Sequence, residues 1–175
     1  MKLNLEKVEK NIFENLNDYI NNGETFQGAD GIVFHYDRKI TAKLFTGSPE
    51  EMKEKSTIQY GLSKICFENE ISVPEPYSLI ENRDIDLDEG QIALPTKILL
   101  MERIKDGKEV PNLQNYEFMP QRRRRGNLSK KHLGFAREQY YEQLKKIHDL
   151  GIVVEDSSLF WNTLYSPKRK KLYFI

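Results

Sequence analysis

Apolar side chains recur at spacings of three and four from Leu5 through Val8, Ile12 and Leu16 to Tyr19. That period predicts an amphipathic helix over residues 3–20 with one face turned to a core. Asn21-Asn22-Gly23 stops it. The period then shortens. Gly31–Tyr36 and Ile40–Phe45 flank Asp37-Arg38-Lys39 and read as two strands joined by a turn. Beyond Gly47, Ser48 stands three residues before Glu51 with Pro49 next to it. This is a capping box with proline at the first helical position, and it predicts a helix over Pro49–Glu68.

The second half is less regular. Ser72-Val73-Pro74-Glu75-Pro76 must be extended, because each proline disfavours helix for the residue before it. Tyr77–Ile80 reads as a short strand and Asn82–Gly90 as an acidic loop. The aspartates of that loop alternate, but their spacing does not fit a calcium-binding loop. Ile92–Ile104 reads as two strands, or as one broken by Pro95, ending in the turn Lys105-Asp106-Gly107. Residues 107–130 have little period and read mostly as loop. From Ser129 to Leu150 the helical period returns, with Leu133, Ala136, Tyr140, Leu144 and Ile147 on one face and Gly151 as its stop. Ile152-Val153-Val154 reads as a short buried strand. Asn162–Tyr165 and Leu172–Ile175 form a hairpin by pattern around Ser166-Pro167-Lys168-Arg169-Lys170. The order predicts an α+β protein with a boundary near residue 105. Its parts are an N-terminal helix (1–25), a strand-rich part (26–104), a loop or linker (105–130) and a helix with short strands (131–175).

Composition changes this picture little. With 175 residues, 38% hydrophobic and 11% aromatic, the chain can build a core despite 31% charged residues. The lone Cys66 excludes a disulfide framework and a multi-cysteine zinc site within the chain, and points to a reducing compartment. No apolar run reaches the ~18 residues of a membrane span. The N-terminus carries acidic residues and no long apolar core, so it does not read as a signal peptide, and a cytoplasmic location is expected.

Charge does add something. Residues 1–110 hold 14 basic and 21 acidic side chains; residues 111–175 hold 13 and 6. The basic part could meet phosphate or nucleic acid, or face the acidic part of the chain itself. The run Arg122–Arg125 has no aromatic stacking partner nearby, so a solvated loop is favoured over nucleic-acid binding. A protein partner could use the first helix (residues 1–22) or the arginine segment (121–126), although an apolar helical stripe is more often core than interface.

Five segments carry candidate chemistry. Gly28-Ala29-Asp30-Gly31-Ile32-Val33-Phe34 places glycines between two strands, where backbone N–H groups approach phosphates closely. Ile40-Thr41-Ala42-Lys43-Leu44-Phe45 sets a lysine in a strand. Glu70–Tyr77 contains Val-Pro-Glu-Pro. Ile98–Ile104 is followed by Asp106-Gly107. Finally, Tyr141–Ile152 ends a helix in Ile147-His148-Asp149-Leu150-Gly151 and leads to Asp156 and Asn162. Taken singly, they also read as a glycine turn, a solvent-facing lysine, an extended linker, a core strand and a helix end.

In their order and spacing these segments resemble the N-terminal lobe and catalytic loop of the protein-kinase-like fold. The likeness is greatest to its small atypical members: RIO-type kinases, the small kinase of the KEOPS complex and aminoglycoside phosphotransferases. It covers residues 26–110 and 135–175. The resemblance implies an antiparallel sheet with one long helix, followed by a minimal, mostly helical C-terminal part. It implies ATP and magnesium as cofactors and a protein or small-molecule hydroxyl as acceptor. Gly28, Gly31 and Val33 would shape the phosphate loop, and Lys43 would hold phosphates. Gln59 stands by spacing where the family has a lysine-pairing glutamate, with Glu54 as a possible substitute. Met101, Glu102 and Ile104 would line the adenine site. Asp156 would orient the acceptor, Asn162 would bind the metal, and His148 would pack beneath the loop.

Other features favour the alternative, a catalytically inactive pseudokinase acting as a binding module. Gln59 replaces the glutamate, and Val154 replaces the loop histidine. The Asp156-to-Asn162 spacing is one residue longer than in the family's H-R-D-x-x-x-x-N. Lys171–Ile175 resembles the strand before the family's Asp-Phe-Gly, so the chain is expected to be cut short of that aspartate or to lack it naturally.

Overall fold

In the computed structural model, which describes residues 4–28, 30–82, 96–110, 128–153 and 163–175, the N-terminal stripe forms two helices instead of one. Helix α1 (Leu5–Glu14) is capped by Asn4, whose side chain accepts from Lys7 N at 3.1 Å. It ends at Asn15, whose Nδ2 donates to Asn11 O at 2.9 Å before α2 (Leu16–Asn22) begins. An asparagine side chain competes with the helical backbone in this way, and apolar spacing does not register it. The stripe is core at Val8 and Ile12.

The described residues form four helices and two antiparallel sheets, an α+β architecture, and group into two units. One comprises residues 1–65 and 75–103; the other comprises 66–74 and 104–175. The first holds β1 (Thr25–Gly28), β2 (Gly31–His35), β3 (Ile40–Phe45), β4 (Pro76–Asn82) and β5 (Thr96–Glu102). They lie in the order β1-β2-β3-β5-β4. The β2–β3 turn is held by Asp37 Oδ1, which accepts from Lys39 N and Ile40 N at 2.6 and 2.8 Å.

Successive strand residues point to opposite faces, and both faces of this sheet are covered. Phe34, Ile40, Ala42, Ile80, Ile98 and Leu100 pack with Val8 and Ile12 of α1. Phe45 and Leu99 pack with Met52 of the long helix α3 (Pro49–Glu68), joined by Tyr60, Leu79 and Met101. The capping box at the start of α3 is formed: Ser48 N donates to Glu51 Oε2 at 2.9 Å, and Glu51 N to Ser48 Oγ at 3.3 Å. Lys97, buried in β5, is paired with Glu81 directly across on β4. Among the described residues no helix is long and apolar enough to cross a membrane.

The second unit packs α4 (Lys130–Asp149) with a sheet of order β6-β7-β8, formed by Lys108–Glu109, Thr163–Ser166 and Lys171–Phe174. Strand β6 lies inside the stretch that the sequence reads as loop. Leu133, Ala136, Tyr140 and Ile147 of α4 are buried as the period predicts, and so is Gln143. Gln143 Oε1 accepts from Ser72 N at 2.9 Å, while Ser72 O accepts from Phe174 N at 2.9 Å. One correction concerns Ile152-Val153-Val154. Ile152 and Val153 are not in a strand, and Val153 is 81% exposed; Val154 lies outside the described residues. Ile152 is half-buried without a strand, packed with Cys66, Ile71, Val73 and Ile147.

Asp106 ties the second sheet to its entry turn. Its carboxylate accepts from Ser166 Oγ at 2.7 Å and Lys168 N at 2.8 Å. Burial pushes its pKa upward, but these hydrogen bonds outweigh burial and hold it below the ordinary carboxylate value. The folded carboxyl is thus the stronger acid, and the unfolded chain binds the proton more tightly. The resulting stability is full above about pH 4 and is lost as pH falls through the lower folded value. Asp106→Asn is expected to lower neutral-pH stability and to flatten its dependence on pH in that acid range, measured by urea unfolding from pH 2 to 7.

Candidate functional site

Strand β3 presents Thr41, Lys43 and Phe45 to the α3 side of the first sheet, with Val33 opposite Lys43 on β2 and Leu99 opposite it on β5. Lys43 Nζ donates to Gln59 Oε1 of α3 at 2.8 Å and lies 5.1 Å from the Phe45 ring centroid. Burial lowers the ammonium's pKa; the Asp30 carboxylate raises it, and Lys55 lowers it further. The residue pairing with Lys43 is therefore Gln59. Glu54 is exposed.

A second polar link stands beside the first. Lys55 Nζ donates to Asp30 Oδ1 at 2.9 Å. The hydrogen bond from Lys55 lowers the Asp30 pKa, and the same bond raises that of Lys55. Residues 55 and 59 are one turn apart on α3 and share a face. The sequence reading missed this pair, because nothing in the spacing links Asp30 to a residue 25 positions away. A carboxylate beside the glycines was the available signal.

The two glycines differ in what they do. They face each other at the end of the β1–β2 hairpin. A Cβ at Gly31 would fall inside contact distance of the Leu44 carbonyl oxygen. Gly31 is thus required by the close approach of β2 to β3. At Gly28 the nearest atom to an added Cβ is Gly31 O at 3.8 Å, which is ordinary contact.

The remaining candidates divide. Met101 faces the same side as Lys43 and packs by Phe45 and Leu99. Glu102 pairs with Ile40 and falls on the alternate face, and its N–H is committed to Glu75 O at 2.9 Å. Ile104 belongs to the second unit, where its carbonyl accepts from Gly107 N at 3.0 Å. His148 is exposed, and the loop beneath which it is expected to pack lies outside the described residues. Asp156, Asn162, Trp161 and Arg122–Arg125 lie outside the described residues. The structure therefore brings together Gly28, Gly31, Val33, Lys43, Gln59 and Met101, with Asp30 and Lys55 added to them.

Two outcomes follow from these contacts. Gly31→Ala is expected to cost about 1–3 kcal/mol, because backbone must shift to admit the methyl, while Gly28→Ala costs less than about 0.5 kcal/mol; urea unfolding of both variants decides. Gln59→Leu removes the acceptor of a half-buried ammonium and is expected to cost about 1–3 kcal/mol. Gln59→Glu restores an acceptor and is expected to unfold at the wild-type urea concentration or above it.

No protein-family model matches this chain, and no curated protein matches it.

Proposed function

We propose that this chain is a minimal, atypical member of the protein-kinase-like fold that binds ATP on the α3 side of its first sheet. The observation that carries the reading is the Lys43–Gln59 hydrogen bond of 2.8 Å between β3 and α3. Its setting adds support: a sheet of order β1-β2-β3-β5-β4 with one long helix inserted between β3 and β4. On this reading Lys43 pairs with phosphate oxygens as a compact charge. Gly28 and Gly31 let the hairpin backbone approach the phosphates, and Val33 and Met101 offer apolar surface to the base.

Transfer, where it occurs, forms a bond between an acceptor hydroxyl oxygen and the γ-phosphorus and breaks the bond from that phosphorus to the β–γ bridging oxygen. ADP leaves, and the hydroxyl proton passes to Asp156 or to water. Magnesium would enter with the nucleotide. Its expected ligand, Asn162, is outside the described residues, and among the described residues no cluster of three His, Cys, Asp or Glu could hold a metal. The second reading, a nucleotide-binding module that transfers nothing, is favoured by one observation: Gln59 orients Lys43 without neutralising it.

Calorimetric titration with ATP, with and without magnesium, tests the proposal. Binding that Lys43→Ala abolishes is the expected result, and no binding at millimolar ATP would overturn it. Hydrolysis or transfer lost in Asp156→Ala, with binding intact, separates the enzyme from the binding module.

A further inference from the structure

The two polar links between the first sheet and α3 have opposite polarity. In one, a lysine on the sheet donates to a neutral side chain on the helix; in the other, a lysine on the helix donates to a carboxylate on the hairpin. We propose that Lys55 is a second phosphate-binding cation, and that Asp30 is an internal anion which it releases when a nucleoside triphosphate enters. This inference rests on the nucleotide-binding reading and names a regulatory element of the same site.

Asp30 lies next to Gly31 in the hairpin end, and its carbonyl accepts from Thr46 N at 3.3 Å, which fixes the turn to the end of β3. Its carboxylate thus sits where the hairpin's backbone amides would meet phosphate, and it already holds one cation of α3. Lys55 extends from the helix face that also carries Gln59, so the Lys55 ammonium, reaching from the helix, and the Lys43 ammonium, reaching from the sheet, meet their partners at helix positions one turn apart. The other charged groups nearby on α3 are Glu51, which caps Ser48, and the exposed Glu54. Neither accepts a hydrogen bond from Lys55 closer than Asp30 does.

The Asp30–Lys55 pair is open to solvent, with side chains 53% and 44% exposed. An exposed ion pair shifts an equilibrium by no more than about fivefold. A triphosphate carries several negative charges and accepts charge-assisted hydrogen bonds. Lys55, on a flexible four-carbon stem, can turn from one carboxylate to such a ligand without moving the helix. The Asp30 carboxylate left behind then repels the phosphates, so Asp30 restrains binding while Lys55 supports it. Lys43 stays oriented by Gln59 throughout.

The test is titration of the full chain with ATP and with inorganic triphosphate, in wild type, Lys43→Ala, Lys55→Gln, Lys55→Arg, Asp30→Asn and the Asp30→Asn/Lys55→Gln double variant. Lys55→Gln is expected to weaken both ligands by about tenfold, the value of one charge-assisted hydrogen bond. Lys55→Arg keeps the charge and retains binding. Asp30→Asn is expected to tighten both ligands several-fold, and the double variant falls below Asp30→Asn by the Lys55 loss. Thermal unfolding of each variant confirms that it is folded. Binding that depends on Lys43 but is unchanged in Lys55→Gln and Asp30→Asn overturns this inference and leaves the nucleotide site standing. Weaker binding in Asp30→Asn also overturns it. Absence of binding in the wild type overturns both.

Discussion

Covering both faces of the five-stranded sheet decides where its polar groups can go. An antiparallel sheet with one wet face has room for polar side chains at every second position. Here α1 covers one face and α3 the other, and β3 lies in the middle. Lys43 belongs to that middle strand, so its ammonium cannot simply sit in water. It is half-buried, its pKa is lowered by burial, and it needs an acceptor at hydrogen-bond distance. Gln59 supplies one from α3. The hydrogen bond is thus a consequence of the layering, and it fixes the register of α3 against β3 at the position where the candidate chemistry lies. Asp30 and Lys55, by contrast, pair at the hairpin end, where both side chains remain wet.

Local signals were legible in the sequence because the physics behind them is local. Ser48 and Glu51 satisfy each other's backbone N–H groups within one turn, so a four-residue pattern sufficed to place the start of α3. The apolar face of α4 was read from its period for the same reason. Non-local pairings were not legible. Ser72 joins the edge of β8 through Phe174, about a hundred residues later, and Gln143 on α4 closes its N–H. No pattern within either segment announces this. Ile152 and Val153 have strand-like composition but lie in no strand: Ile152 packs its side chain with Cys66, Ile71, Val73 and Ile147, and Val153 is exposed.

The candidate site shows the same division. Lys43 and Gln59 are the positions that the resemblance to the protein-kinase-like fold implies for the lysine and its helix partner, and they are hydrogen-bonded across sixteen residues. The glycines were found too, but their shared reading as phosphate-loop residues merged two roles. Gly31 is explained by the approach of β2 to β3 without any ligand. Gly28 has no such packing reason and is the better candidate for a position kept open for backbone approach. A glycine motif alone does not separate these cases; the neighbouring carbonyl of Leu44 does.

The glutamine at position 59 shifts the electrostatic problem. A carboxylate there would balance Lys43 and leave the hairpin free to be neutral. With Gln59 the ammonium is oriented but uncompensated, and the carboxylate that raises its pKa is Asp30, on the hairpin itself. Lys55 then shares that same carboxylate. Lys43, Lys55 and Asp30 meet on this side of the unit, with Glu51 engaged at Ser48 and Glu54 exposed nearby on α3. Under the nucleotide-binding proposal, an incoming polyanion would meet Lys43, whose hydrogen bond is to a neutral side chain, and Lys55, whose ion pair with Asp30 is exposed and weak. On the proposed nucleotide-binding reading, this side of the sheet would hold a polyphosphate through one cation oriented by a neutral partner and a second in an exposed ion pair.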